Sequence, residues 1–210
     1  MKRRNTRGFS LIEMAVVLAI GIIASSVCFM SLQPSLKQTR VSNAYNMTLA
    51  SLRQAREAAV ANRWTYIVTF NNASIPNTIT VNQATTTCNG LGQQLVKMSL
   101  PNDVSFAVVS GVPTSPNGTF TTPDGFGTAN RAIDFDQGVS GGSTSSVCFY
   151  PDGSAHDANG YTNSGVVYMA RPGNLFSSRA ITVWGATGRL RGWRLYQTTG
   201  NGGSTYWRQQ

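Results

Sequence analysis

The sequence predicts an α+β chain: one long N-terminal helix, with a first half apolar enough to cross a membrane, packed on an antiparallel β-sheet domain. Three observations predict it. Phe9 to Leu32 is an apolar run of 24 residues holding a single charge, Glu13. Apolar residues then recur every three or four positions up to about residue 62. After Arg63 the pattern changes to a period of two and breaks into short segments separated by turn residues.

Composition narrows the class. The 210 residues are 41% hydrophobic but only 12% charged, about half the usual charged fraction. That excludes a collagen, a coiled-coil rod and a wholly disordered chain. Seventeen Lys and Arg against eight Asp and Glu give a net charge of +9, which favours anionic partners such as phosphate backbones or anionic lipid. One His and three Cys are a poor inventory for metal or acid–base chemistry, so a non-enzyme with no cofactor is expected.

Taken in order, residues 1–8 carry Lys2, Arg3, Arg4 and Arg7 and form a basic leader. Residues 9–33 form the apolar helix. At about 1.5 Å per residue it spans the roughly 30 Å hydrocarbon core. The positive-inside rule keeps the N-terminus cytoplasmic and places the rest outside, as a single-pass inner-membrane protein with a periplasmic domain. Pro34 is expected to kink or loosen the helix. Over 34–62, Val41, Tyr45, Thr48, Leu52, Ala55 and Ala59 make one helical face, expected to pack on the domain.

Residues 63–196 read as the β-rich domain. Trp64, Tyr66, Val68 and Phe70 alternate with Thr65, Ile67 and Thr69 as a first strand, and Asn71-Asn72 reads as a turn. Further strands are predicted over Thr78–Val81, Leu95–Leu100, Val104–Val109, Ala132–Phe135, Val147–Tyr150, Gly165–Ala170, Arg179–Trp184 and Leu190–Tyr196. Ser110–Asn130 and Gly138–Ser146 read as loops, Pro151-Asp152-Gly153 as a turn, and 197–210 as a polar tail.

No A-x-A-like cleavage site follows the apolar run; the small residue, Gly8, precedes it. Arg7-Gly8-Phe9-Ser10-Leu11-Ile12-Glu13 resembles the type IV prepilin leader. The resemblance implies cutting after Gly8 by a prepilin peptidase, methylation of the new N-terminal Phe9, and an assembly role for Glu13 against the N-terminal amine of a neighbouring subunit. A plain membrane anchor would not explain Glu13, because a carboxylate one turn into a membrane helix costs several kcal/mol unless paired. The implied partners are other pilins or pseudopilins, the prepilin peptidase and inner-membrane lipid, with residence in a pilus or pseudopilus after assembly.

Within the pilin fold the chain is similar to the GspH/FimT family of pseudopilins and minor pilins. Beyond the N-terminal 60 residues the resemblance rests on the strand-rich pattern, Val147-Cys148-Phe149-Tyr150-Pro151-Asp152-Gly153, and Thr187-Gly188-Arg189-Leu190-Arg191. Gly188-Arg189-Leu190-Arg191 resembles the GRxR element of FimT-type minor pilins, which bind DNA during natural transformation. That implies double-stranded DNA as a partner, with Gly188, Arg189 and Arg191 carrying the resemblance. A type II secretion pseudopilin with no nucleic-acid role is the alternative.

The residues themselves bear on the same question. After Asp157 the last 53 residues hold no acid and six basic residues, all Arg: Arg171, Arg179, Arg189, Arg191, Arg194 and Arg208. Trp184, Trp193, Tyr196, Tyr206 and Trp207 are interleaved with them, and Arg with exposed aromatics suits sequence-independent nucleic-acid binding. On one strand Arg189 and Arg191 share a face, as two cations about 6–7 Å apart. Leu190, Gly192 and Arg194 share the other. A solvated hairpin, or contacts to a neighbouring subunit, would use the same residues.

Cys28 lies inside the apolar helix, where a packed thiol is expected. Cys88 and Cys148 fall in the exported part, and an oxidising periplasm leads to the expectation that they pair. His156 sits near Asp152 and Asp157 but lacks converging ligands for a metal, so a surface-loop role is expected. Asp134 and Asp136 flank Phe135 and should share a strand face, either as oxygen donors for calcium or, more simply, solvated.

Overall fold

The computed structural model describes residues 10–86, 88–113, 123–126, 131–135, 145–198 and 203–210. The chain divides into two compact units, Met1–Thr39 and Arg40–Gln210. Helix α1, Leu11–Asn62, runs from the first into the second.

In the first unit α1 is bare. Leu11, Ile12, Val16, Leu18, Ile22, Ile23, Val27 and Phe29 are all more than half exposed, and the segment is long and apolar enough to cross a membrane. Its hydroxyls are satisfied within the helix: Ser25 Oγ donates to the Gly21 carbonyl at 2.7 Å and Ser26 Oγ to the Ile22 carbonyl at 2.9 Å. Such internal bonding is what an apolar surrounding demands of a polar side chain. Cys28 is exposed rather than packed. Pro34 does not interrupt the helix. A proline removes one backbone donor, and the i→i−4 bonds on either side carry the helix through that single loss.

In the second unit the predicted stripe is buried in full: Val41, Tyr45, Thr48, Leu52, Ala55 and Ala59, joined by Ala44 and Ser51. Most of these side chains are small, and Tyr45 and Leu52 are the large members of the face. Thr48 and Ser51 tolerate burial because their hydroxyls return to the carbonyls of Ala44 and Met47 at 2.8 and 2.9 Å. The helix ends where Arg63 adopts a left-handed φ of 53° and Trp64 N–H donates back to the Ala59 carbonyl.

The strands are β1 Tyr66–Asn71, β2 Thr78–Thr86, β3 Asn89–Ser99, β4 Ile133–Asp134, β5 Ser146–Phe149, β6 Ala155–His156, β7 Gly165–Arg171, β8 Asn174–Trp184, β9 Arg189–Gln197 and β10 Thr205–Gln209. They form two antiparallel sheets, ordered β3-β2-β1-β5-β6 and β10-β9-β8-β7-β4. One core joins the α1 stripe to the inward residues of both: Tyr66, Val68, Phe70, Ile79, Val81, Val147 and Phe149 from the first, Val167, Met169, Ile181 and Val183 from the second. The whole is an α+β architecture consistent with the pilin fold.

Several elements differ from the sequence expectation. Val104–Val109 is no strand: it keeps one bridge, Ser105 to Ala170, while Val104 and Phe106 point into the core. The Phe106 N–H is taken by the Asn77 side chain at 2.6 Å, so the alternation is satisfied by packing without a ladder. β3 begins six residues early, because pairing with β2 draws polar Asn89–Gln94 into the sheet. The tail contains β10, held against β9 by Tyr206 opposite Tyr196 and Trp207 opposite Leu195. The predicted loops lie largely outside the described residues.

The Tyr45 ring of α1, lying against β9, makes one glycine obligatory. A Cβ on Gly192 would overlap the hydroxyl and ring of Tyr45. Gly192→Ala is expected to cost roughly 3 kcal/mol, the upper range for overpacking, and to lower Tm by about 6–12 °C. Combining it with Tyr45→Ala should recover part of that loss in thermal unfolding followed by circular dichroism.

Candidate functional site

Gly8 and Phe9 lie outside the described residues. Glu13 sits in the first turn of α1 and is exposed. An acid there suits the positive end of the helix dipole, and its carboxylate is presented on a surface otherwise lined with Leu, Ile and Val.

The turn between β8 and β9 is built around an arginine from the helix. Arg56 donates from Nε to the Gly153 carbonyl at 3.2 Å and from Nη2 to the Thr187 carbonyl at 3.0 Å. It thereby fastens two turns to α1. Gly188 has φ 58°, and a Cβ there would collide with the Gly153 carbonyl. Packing and backbone conformation alone therefore require glycine at 188. Beside this clasp lies an open cleft of about 470 Å³, lined by Arg53, Arg56, Glu57, Gly188, Arg189 and Leu190. Arg189 is exposed at its rim.

Arg191 behaves differently. It shares the face of Arg189, as the strand period requires, but Asp124 neutralises it through a 2.7 Å ion pair. The guanidinium also lies over the Trp184 ring, 5.2 Å from its centroid. Asp124 has φ 59° and accepts further bonds from the Thr182 hydroxyl at 2.7 Å and Trp184 Nε1 at 3.2 Å. The expected pair of open cations at 189 and 191 is thus reduced to Arg189. Asp124 stands 67 residues before Arg191, and no local pattern links them.

Arg194 points to the opposite face, in register with Arg179 on β8 and Arg208 on β10. Arg179 is buried at 2% exposure and donates to the carbonyls of Ser177 and Ser178. Burial first, then the like charge of Arg194, holds its guanidinium down to about 10. Arg194 and Arg208 both lie over the Tyr196 ring, at 5.2 and 5.9 Å, and Tyr206 stacks on Tyr196 at 6.2 Å. Trp193 and Trp207, expected as exposed aromatics, instead pack against the Phe126, Val166, Tyr168 and Ala180 cluster. The Trp193 ring N–H is taken by Thr182.

The remaining candidates have structural duties. Asp152 accepts the amide and hydroxyl of Ser154, which hold its carboxyl below the usual range. His156 stacks on Tyr150 with centroids 3.8 Å apart and sits between Ser154 Oγ and the Gly160 carbonyl. Asp157 accepts the amides of Asn159 and Tyr161 and so closes the following turn. Asp134 is fully buried in β4 rather than solvated; Asp136 lies outside the described residues. Among the described residues, no three His, Cys, Asp or Glu side chains converge as metal ligands. Cys88 and Cys148 are both buried thiols, brought into one small cluster with Ile67 and Ala84 on the outer face of the first sheet.

The Asp124 pairing is open to a direct test. Its side chain is 7% exposed, so Asp124→Ala strands a mostly buried guanidinium. A loss of roughly 3 kcal/mol is expected, read as a Tm lower by about 6–12 °C. Asp124→Asn keeps an acceptor for Thr182 and Trp184 and should lose less.

Comparison with known proteins bears on the N-terminus. Residues 3–29 match the family model of the prokaryotic N-terminal methylation motif. No curated protein and no solved structure matches the chain. The matched segment carries Arg3, Arg4 and Arg7 of the basic leader, Gly8, Phe9, Glu13 and all but the last three residues of the apolar run. The chain is type IV pilin-like at its N-terminus, with the processing by prepilin peptidase and assembly with other pilins that this motif implies.

Proposed function

We propose that this protein is a minor type IV pilin or pseudopilin, cut after Gly8, methylated on Phe9 and held in the inner membrane by a single span until it joins a filament. The observation that carries the reading is Glu13 in the first turn of an otherwise bare apolar helix, directly behind the methylation motif. In a medium of low polarity that carboxylate needs a cation. The amine freed at Phe9 by cleavage on a neighbouring subunit supplies one, and the pair fixes the stagger between helices. The β domain then faces the periplasm. Glu13→Ala should abolish incorporation into filaments while leaving processing intact. The mature polypeptide should begin with methylated Phe9 by mass spectrometry; a different first residue overturns the reading.

A second reading, that such a subunit contacts double-stranded DNA, is supported by the basic cleft of Arg53, Arg56 and Arg189. On this reading Arg189 meets a phosphate at the rim, and Arg194 and Arg208 extend the positive surface on the other face. Arg191 contributes little because Asp124 already occupies it. Binding by the full chain in detergent should fall steeply with salt. Arg189→Ala should weaken it several-fold and reduce the salt slope by about one, whereas Arg191→Ala should change it far less. No retardation of DNA at low salt removes this reading and leaves an assembly subunit with no nucleic-acid role, as in a GspH-like secretion pseudopilin.

A further inference from the structure

We infer that Cys88 and Cys148 are the two halves of a disulfide that fastens the tip of the β2–β3 hairpin to β5. Cys88 stands at the chain reversal between β2 and β3, and Cys148 lies in β5 on the same outer face. Both are nearly inaccessible, at 5% and 2% exposure, and they pack together in one small buried cluster. The neighbours are Ile67, Ala84 and Tyr150.

The backbone at Cys88 is the second observation. Its φ is 52°, in the left-handed region where a turn favours Gly or Asn. From that reversal its side chain is buried in the same cluster as Cys148. Hydrogen bonds from Cys148 and from the Tyr150 hydroxyl lower the Cys88 thiol, the Cys148 bond counting most. The Cys148 thiol is pushed up, first by that same bond and then by burial. Burial also raises the Tyr150 phenol to about 12, so it stays protonated and able to donate. The exchange needs one thiolate at a time. One of the two cysteines attacks a sulfur of an exchangeable disulfide R–S–S–R and expels RS⁻. The other, giving up its proton, then attacks the protein sulfur of the mixed disulfide and expels the second RS⁻. Two thiols lose two electrons and two protons, and R–S–S–R becomes two RSH. The new bond closes a loop of about 60 residues through β3, β4 and the segments between.

The test uses the full chain, purified in detergent, reduced, then exposed to oxidised glutathione and finally alkylated. The inference expects one alkyl group, on Cys28, before reduction and three after it. It also expects a linked Cys88–Cys148 peptide in the digest, and a Tm lower by about 10 °C once the bond is reduced. Cys148→Ser and Cys88→Ser should each abolish the linked peptide and leave the Tm insensitive to reductant. Three alkyl groups on folded, glutathione-treated protein, or a bond that includes Cys28, overturns the inference. Export to an oxidising compartment rests on the reading above and is tested separately, by alkylating whole cells before lysis. Closure with glutathione but not in cells refutes export and leaves the pairing standing.

Discussion

The fold depends on one helical face against which both sheets pack. The buried face of α1 over Val41–Ala59 consists chiefly of Ala, Ser and Thr, with Leu52 and Tyr45 as its large members. With that face, β1, β2 and β5 of one sheet and β7 and β8 of the other place Phe70, Phe149, Ile79, Met169 and Ile181 into one core. Two long side chains reach out from the helix: Tyr45 leaves no room for a Cβ at Gly192, and Arg56 clasps the carbonyls of Gly153 and Thr187. The second contact fixes the turn beside which Arg189 is exposed.

Charge is managed unevenly over the second sheet. Arg179, Arg194 and Arg208 stand side by side across three strands, with no acid after Asp157 in sequence to answer them. The buried member of the row is satisfied by carbonyls of its own strand, and the outer two by the face of Tyr196. A guanidinium permits this because it is weakly hydrated and stacks on aromatic rings; an ammonium in the Arg179 position would lose far more hydration. On the other face Asp124 answers Arg191 alone. The sheet thus holds arginines of quite different availability, and strand alternation by itself does not distinguish them.

The turn that follows β5 shows the same economy of polar groups. Asp152, Ser154, His156 and Asp157 resemble a reactive cluster when read as residue types. In the fold each carboxylate receives amides of its own turn, and the imidazole is held between a hydroxyl and a carbonyl while lying flat on Tyr150. That network rigidifies the strand-turn to which Arg56 is tied.

Patterns that repeat locally were legible without a structure. The apolar run with Glu13, the helical stripe and most strands rest on periodicities of 3.6 and 2, which fix which side of an element is apolar regardless of what it meets. The leader is equally local, a string of adjacent residues. Pairings between distant segments had no such signature. The Asp124–Arg191 ion pair, Arg179 lying under Arg194, the clash that demands Gly188, the inward turn of Trp193 and Trp207, and the strand made by Thr205–Gln209 each arise from segments that become neighbours only when the sheets close on the helix. Sequence determined the kind of element and its apolar face; tertiary packing decided which arginines remain open to solvent, because only the partner across the fold supplies or withholds the opposing charge.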